Sequence, residues 1–219
     1  MSAPLLDLVP RFRWTIVFLS VLALAATLTG LPRTQVVSDF EVFFEKDNPD
    51  LLAYHAIQDE YTSDDNIMFV VTAKDGNAFS QQTMEAVEAL TEAAWGLPDS
   101  VRVDSLTNYQ HTRADGDDLL VQNLVENGGD LSDAELAEAR GIARNETPLF
   151  KRLVRDGDVT GVNVDFQVGN GERNKEFPKI VAAARELQSE FAQRYDAVEI
   201  RLIGKLINNN AFRESSIHD

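Results

Sequence analysis

Eighteen consecutive residues without a charge, Trp14 to Leu31 (WTIVFLSVLALAATLTGL), constrain this chain more than any other feature. As a helix rising about 1.5 Å per residue, the run is about 27 Å long. A bilayer's hydrocarbon core is roughly 30 Å thick. The pattern therefore predicts a transmembrane helix over residues 14–31, behind a cytoplasmic N-terminal tail of residues 1–13. Arg11 and Arg13 precede the run and Arg33 follows it, a slight bias toward an N-terminus inside. Two other readings stay open. A cleaved signal peptide also has a basic start and an apolar middle, although the small residues Ala23, Ala25 and Ala26 lie within the run. A buried core helix would carry a polar stripe, whereas only Thr15, Ser20, Thr27 and Thr29 interrupt this one.

An anchor and a signal alike send residues 34–219 out of the cytoplasm. That stretch keeps 17 basic and 35 acidic side chains once Arg11, Arg13, Arg33 and Asp7 are left out. So acidic a surface repels anionic head groups and cannot neutralise a polyanion, which argues against nucleic acid as a partner. Cysteine is absent, removing disulfides, thiolate zinc sites and cysteine nucleophiles, and His55, His111 and His218 are the only histidines.

The exported part reads as α+β. Asn48-Pro49-Asp50 is a helix start, with Asn48 as cap and Pro49 at the first helical position, and the helix runs to about Tyr61. Ile67 to Ala73 is an unbroken apolar run that predicts a central strand buried on both faces. An amphipathic helix follows from about Ser80 to Trp95, then a second strand from Val101 to Leu106. The same order recurs later. Val162, Val164, Phe166 and Val168 alternate with polar residues as a half-buried strand does, a helix carries Phe177, Ile180, Val181, Ala184, Leu187 and Phe191, and Val198, Ile200 and Leu202 form a last strand. Two such units make a ferredoxin-like, split βαβ sandwich over residues 34–204. Between them lies an acidic insertion of about residues 108–158, holding a helix from Asp133 behind the Ser132–Glu135 capping box. From Lys205 the chain turns helical and runs to Asp219 with no stop signal, which predicts a helix cut short.

No constellation for catalysis emerges. Gly169-Asn170-Gly171 lacks the third glycine of a dinucleotide loop, having Asn174 there. Asp115-Gly116-Asp117-Asp118 and Asp156-Gly157-Asp158 lack the length and terminal Glu of a calcium loop and read as solvated turns. Asn145-Glu146-Thr147 is a chance-grade glycosylation triplet, the histidines lack metal-pair spacing, and no G-x-S-x-G elbow occurs. The expectation is a non-enzyme with no catalytic residue, no cofactor and no metal.

Three segments carry a resemblance. Phe43-Phe44-Glu45-Lys46-Asp47-Asn48-Pro49 looks like an acidic entry to an extracytoplasmic loop. Val103-Asp104-Ser105-Leu106-Thr107-Asn108 looks like an SLTN strand exit, followed by Leu131-Ser132-Asp133-Ala134-Glu135-Leu136. Asn209-Asn210-Ala211-Phe212-Arg213-Glu214 looks like an N-x-A-F-x-E approach to a second membrane helix, with Ser215 where alanine is more usual. In this order they resemble the first quarter of a resistance-nodulation-cell division (RND) exporter, on the MMPL-like branch that includes hopanoid transporters. The resemblance implies a proton-driven exporter of lipids or other hydrophobic and amphiphilic molecules in the bacterial inner membrane. Residues 34–219 would lie on the periplasmic side as a porter domain, and residues 205–219 would begin the helix toward a missing second span. Its partners would be the remaining spans, a second porter domain and the substrate. One apolar run without an ionisable residue cannot pump alone, because a proton relay needs such groups within membrane helices. The other reading left open by the residues is a stand-alone, single-span anchored binding or accessory module, with an apolar ligand in the cleft between sheet and helices.

Overall fold

The computed structural model describes residues 12–29, 44–45, 47–60, 64–155, 157–169 and 172–218. The chain divides into two compact units, Met1–Val37 and Ser38–Asp219. The expected cytoplasmic tail falls almost wholly on residues 1–11, outside the described residues, as do Phe43, Lys46 and Asp219.

The first unit holds α1 (Arg13–Leu28), 16 residues with none of its side chains buried. Here the structure corrects the sequence. No helix among the described residues is long and apolar enough to cross a membrane, so the transmembrane helix expected over 14–31 is not present as such. The helix ends early for a local reason. The Thr27 and Thr29 hydroxyls donate back to the carbonyls of Leu24 and Ala26, both at 2.7 Å, and such bonds compete with the helical ladder at its last turn.

The second unit is an α+β sandwich. Its helices and strands are α2 (Pro49–Glu60), β1 (Asn66–Ala73), α3 (Gln81–Ala94), β2 (Ser100–Asp104), β3 (Gln110–Asp115), β4 (Asp118–Asn123), α4 (Asp133–Asn145), β5 (Val154–Arg155), β6 (Val159–Phe166), α5 (Arg173–Arg194), β7 (Val198–Ile203) and α6 (Lys205–His218). The main sheet runs β2-β6-β1-β7, with β5 added alongside β6, and each adjacent pair is antiparallel. Each β-α-β unit thus straddles a strand of the other, the split βαβ arrangement. Ile67, Phe69 and Val71 of β1, Val162, Val164 and Phe166 of β6, and Leu202 of β7 meet Met84, Val87, Leu90, Ile180 and Ala184 of α3 and α5 in one core. Asn48 caps α2 by accepting from the Asp50 and Leu51 amides, and Ser80 caps α3 by accepting from the Thr83 amide.

Two strand environments differ from expectation. β1 is central yet alternates buried and half-exposed residues, because α3 and α5 cover only one face of the sheet. β6, expected half-buried, is buried on both sides from Thr160 to Val164. Met68 lies across Gly161 on its other face, and Asn163 bonds to neighbours there instead of to water. The insertion also contains β3 and β4, a separate two-stranded ribbon whose two-residue turn is Gly116-Asp117.

The junction between β7 and α6 needs glycine. Gly204 has φ +127°, and a Cβ there would meet the Asn66 carbonyl oxygen at 2.5 Å.

Candidate functional site

The cleft between sheet and helices, where an apolar ligand was expected, is filled by the core. The open space lies on the opposite face, where a groove of about 820 Å³ runs over the bare side of β2, β6 and β1. Its floor follows from strand alternation. Residues opposite one another across β6 and β1 include Asn163 and Met68, and Asp165 and Asn66. On β2, Asp104 and Arg102 stand beside Asn163 and Asp165. One wall is the exit from β2 with Ser105, Asn108, Tyr109 and Gln110, and the other is the turn of residues 148–153.

The floor is a connected polar ladder. Asn66 Nδ2 donates to Asn163 Oδ1 at 2.8 Å, and Asn163 Nδ2 donates to Asp165 Oδ1 at 2.8 Å. Arg102 pairs with Asp104 at 2.8 Å, and that hydrogen bond holds its guanidinium above the usual value. The SLTN exit closes on itself. Asn108 Oδ1 accepts from the Ser105 amide at 2.8 Å and Asn108 Nδ2 donates to the Val103 carbonyl at 2.6 Å, while Thr107 Oγ1 donates to Thr91 of α3. These residues fix the wall's position and do not face a reacting group.

At one end the groove meets an ionic cluster. Lys205, at the start of α6, donates to Asp64 at 2.5 Å and to the Tyr54 hydroxyl at 3.1 Å, and pairs with buried Asp65 at 3.1 Å. Arg173 of α5 lies 3.5 Å from the other Asp65 oxygen. Burial opposes the charge on Lys205, but the bonds to Asp64 and Tyr54 and the field of Asp65 outweigh it and hold the ammonium well above its usual range. For Asp64 burial likewise opposes ionisation, and the bonds from Lys205 and Tyr54 win, lowering its carboxyl. Tyr54 is pushed up chiefly by burial. One cluster thus ties α2, β1, α5 and α6 together.

The residues singled out in the sequence do not converge. His55 lies on α2, with its ring 6.0 Å from that of Tyr54. His111, on β3, stands 3.6 Å from Glu146 at the end of α4, and the same carboxylate accepts from Tyr109, whose phenol is raised by burial and by that charge. The His218 side chain, Asp156, Asn170 and Gly171 lie outside the described residues. Asn145 bonds back to the Gly141 carbonyl within its own helix. Among the described residues no group of three His, Asp or Glu is arranged to hold a metal ion. In the N-x-A-F-x-E segment, Asn210 and Arg185 of α5 both bond Glu214, fastening α6 to α5. The groove residues themselves were not singled out, although the alternation of Asn163 and Asp165 with valines was the available signal.

No protein-family model matches the sequence, and no curated protein matches it.

Proposed function

We propose that this chain is the N-terminal portion of a proton-driven RND-type exporter of lipids or other hydrophobic and amphiphilic compounds, with the split βαβ unit as a porter domain and its groove as part of the substrate path. It would act at the bacterial inner membrane, with residues 34–219 on the extracytoplasmic side, joined to further spans and a second porter domain. The observation that carries this proposal is the bare, concave face of the main sheet. A large groove lies on that side, bordered by the segment that resembles the family's strand exit. Three things support it together: the order of the three motif segments, the strand order β2-β6-β1-β7, and a last strand that turns at Gly204 straight into α6. The chain cannot transport by itself, since a relay of ionisable groups inside membrane helices is needed and no helix of that kind occurs among the described residues.

The test is the size of the native polypeptide, probed with an antibody against residues 34–219 in membranes of cells that make it. A band several times larger than 24.3 kDa is expected. A band at 24.3 kDa would overturn the exporter. It would leave the second reading, a binding or accessory module, which one observation favours: both walls and the floor of the groove come from this chain alone.

A further inference from the structure

We infer that the groove takes a single-chain amphiphile with an anionic head group, whose oxygens sit on Lys151 and Arg152. The inference rests on the groove being a ligand path and names the chemical class of that ligand.

The first observation is a charge anomaly. Acidic residues outnumber basic ones by 36 to 20, so most cations have carboxylates within reach. Within the groove, Arg102 is neutralised by Asp104, and Asp64 is neutralised by Lys205. Asp165 accepts from Asn163, so the floor offers its negative ends to groups already in place. Lys151 and Arg152 are different. They stand side by side on the groove wall with no carboxylate partner among the described residues, and Lys151 has only the Phe150 ring, 5.9 Å from its ammonium. Two adjacent unneutralised cations are the strongest positive feature of the groove, and an anion is the ligand that completes them.

The second observation is how they are held. The turn that carries them is bonded on every side. The Lys151 amide donates to the Val154 carbonyl at 2.9 Å, the Leu153 amide donates to Leu149 at 2.9 Å, and the Leu153 carbonyl accepts from both the Thr160 hydroxyl and the Gly161 amide of β6. Leu149, Leu153 and Val154 are buried beneath it. The backbone is thus fixed on the sheet before any ligand arrives, which lowers the ordering cost of binding.

The third observation is the surface between the cations and the ladder. Met68, Tyr109 and Pro148 contribute to the same lining, and a groove of about 820 Å³ falls in the range of small-ligand sites. Two solvent-exposed cations alone hold a free phosphate weakly. An alkyl chain lying along Met68 adds burial that a free anion lacks.

The test is calorimetric titration of the full chain at low salt with dodecyl phosphate below its micelle concentration, with dodecyl maltoside and inorganic phosphate as comparison ligands. Dodecyl phosphate is expected to bind saturably, and at least about tenfold more tightly than inorganic phosphate. The double variant K151E/R152E is expected to lose at least about tenfold in affinity, and K151Q/R152Q to lose less. A control with the same charge change on exposed turns and helix, K74E/K175E, should stay within about twofold. Uptake on the apolar surface of α1 is common to all variants and cancels in the comparison. Circular dichroism checks that each variant is folded. Equal binding of inorganic phosphate overturns the amphiphile and leaves a plain anion site. Equal loss in the control, or no binding of dodecyl phosphate, overturns the site. If dodecyl maltoside binds as well as dodecyl phosphate, the head-group assignment fails while the groove remains a ligand path. If dodecyl phosphate binds but the native polypeptide is 24.3 kDa, the exporter fails and the assignment stands.

Discussion

Replacing Lys205 with methionine strips the only lysine from the cluster at the end of the groove. The side chain is 18% exposed and touches Asp65, which is 1% exposed, at 3.1 Å. At that distance the gross attraction is about 5 kcal/mol for an effective dielectric constant of roughly 20. Removing one partner of a buried pair typically costs about 3–5 kcal/mol, because the other charge is stranded. Two features reduce this. Arg173 still faces Asp65 at 3.5 Å, and Asp64, the other partner, is 60% exposed and regains water. A loss of about 2–3 kcal/mol is expected, or a fall in Tm of about 5–10 °C for a unit of this size. The pH dependence follows from the two shifts. Lys205 is held above its ordinary range, so its contribution is complete below about pH 10.4 and is lost as pH rises through its folded value. Asp64 is held below its ordinary range, so its contribution is present above about pH 4 and is lost as pH falls through its folded value. The gap between wild type and Lys205→Met should therefore be flat across neutral pH and narrow at both ends. Urea denaturation of the full chain across pH reads it directly. A loss under about 1 kcal/mol at neutral pH, or a gap of unchanged size at about pH 3, would refute the reasoning and make the cluster an ordinary surface ion pair.

Two further substitutions probe local structure. Gly204→Ala forces a side chain into φ +127° and against the Asn66 carbonyl at 2.5 Å, so a loss of at least about 2 kcal/mol is expected in the same denaturation assay; a neutral result would mean the β7–α6 junction can shift. Ser132→Ala removes the residue that accepts from the Glu135 amide and closes the capping box of α4, and about 1 kcal/mol should be lost. Hydrogen exchange should then rise in α4 and not in β1 or β6.

How much of this was legible in the sequence depends on how local each signal is. Caps and helix faces were readable because their partners are three or four residues away: Asn48, Ser80 and the Ser132–Glu135 pair sit where the motif places them. The length of α1 was not readable from apolarity alone, since hydropathy does not register the Thr27 and Thr29 hydroxyls that bond back into the last turn. Strand burial was misjudged in both directions. IMFVVTA carries no polar break, yet Met68, Val70 and Thr72 face the uncovered side of the sheet. Asn163 looks like a solvent residue, yet it is buried because Asn66 and Asp165 satisfy it. The ribbon β3–β4 leaves no apolar alternation in Gln110–Asp115, so nothing marked it beyond the turn at Gly116-Asp117.

The groove was invisible for a deeper reason. Its floor is drawn from residues 66–68, 102–104 and 163–165, and each set on its own is the ordinary polar side of a strand. They become one surface only because the strand order places β6 between β2 and β1, joining residues nearly a hundred positions apart in sequence, such as Asn66 and Asn163. The cations are hidden in the same way. Lys151-Arg152 is a charged doublet inside an acidic insertion, and in sequence its nearest charges suggest neutralisation. Folding instead anchors the turn through Leu153 to β6, which carries the doublet to the groove and leaves it facing Asn163 and Asp165 across the floor, where the acid is already engaged. Composition reports that the chain is acidic; topology decides that its ligand groove has a basic wall, and only that second fact bears on what the groove can hold.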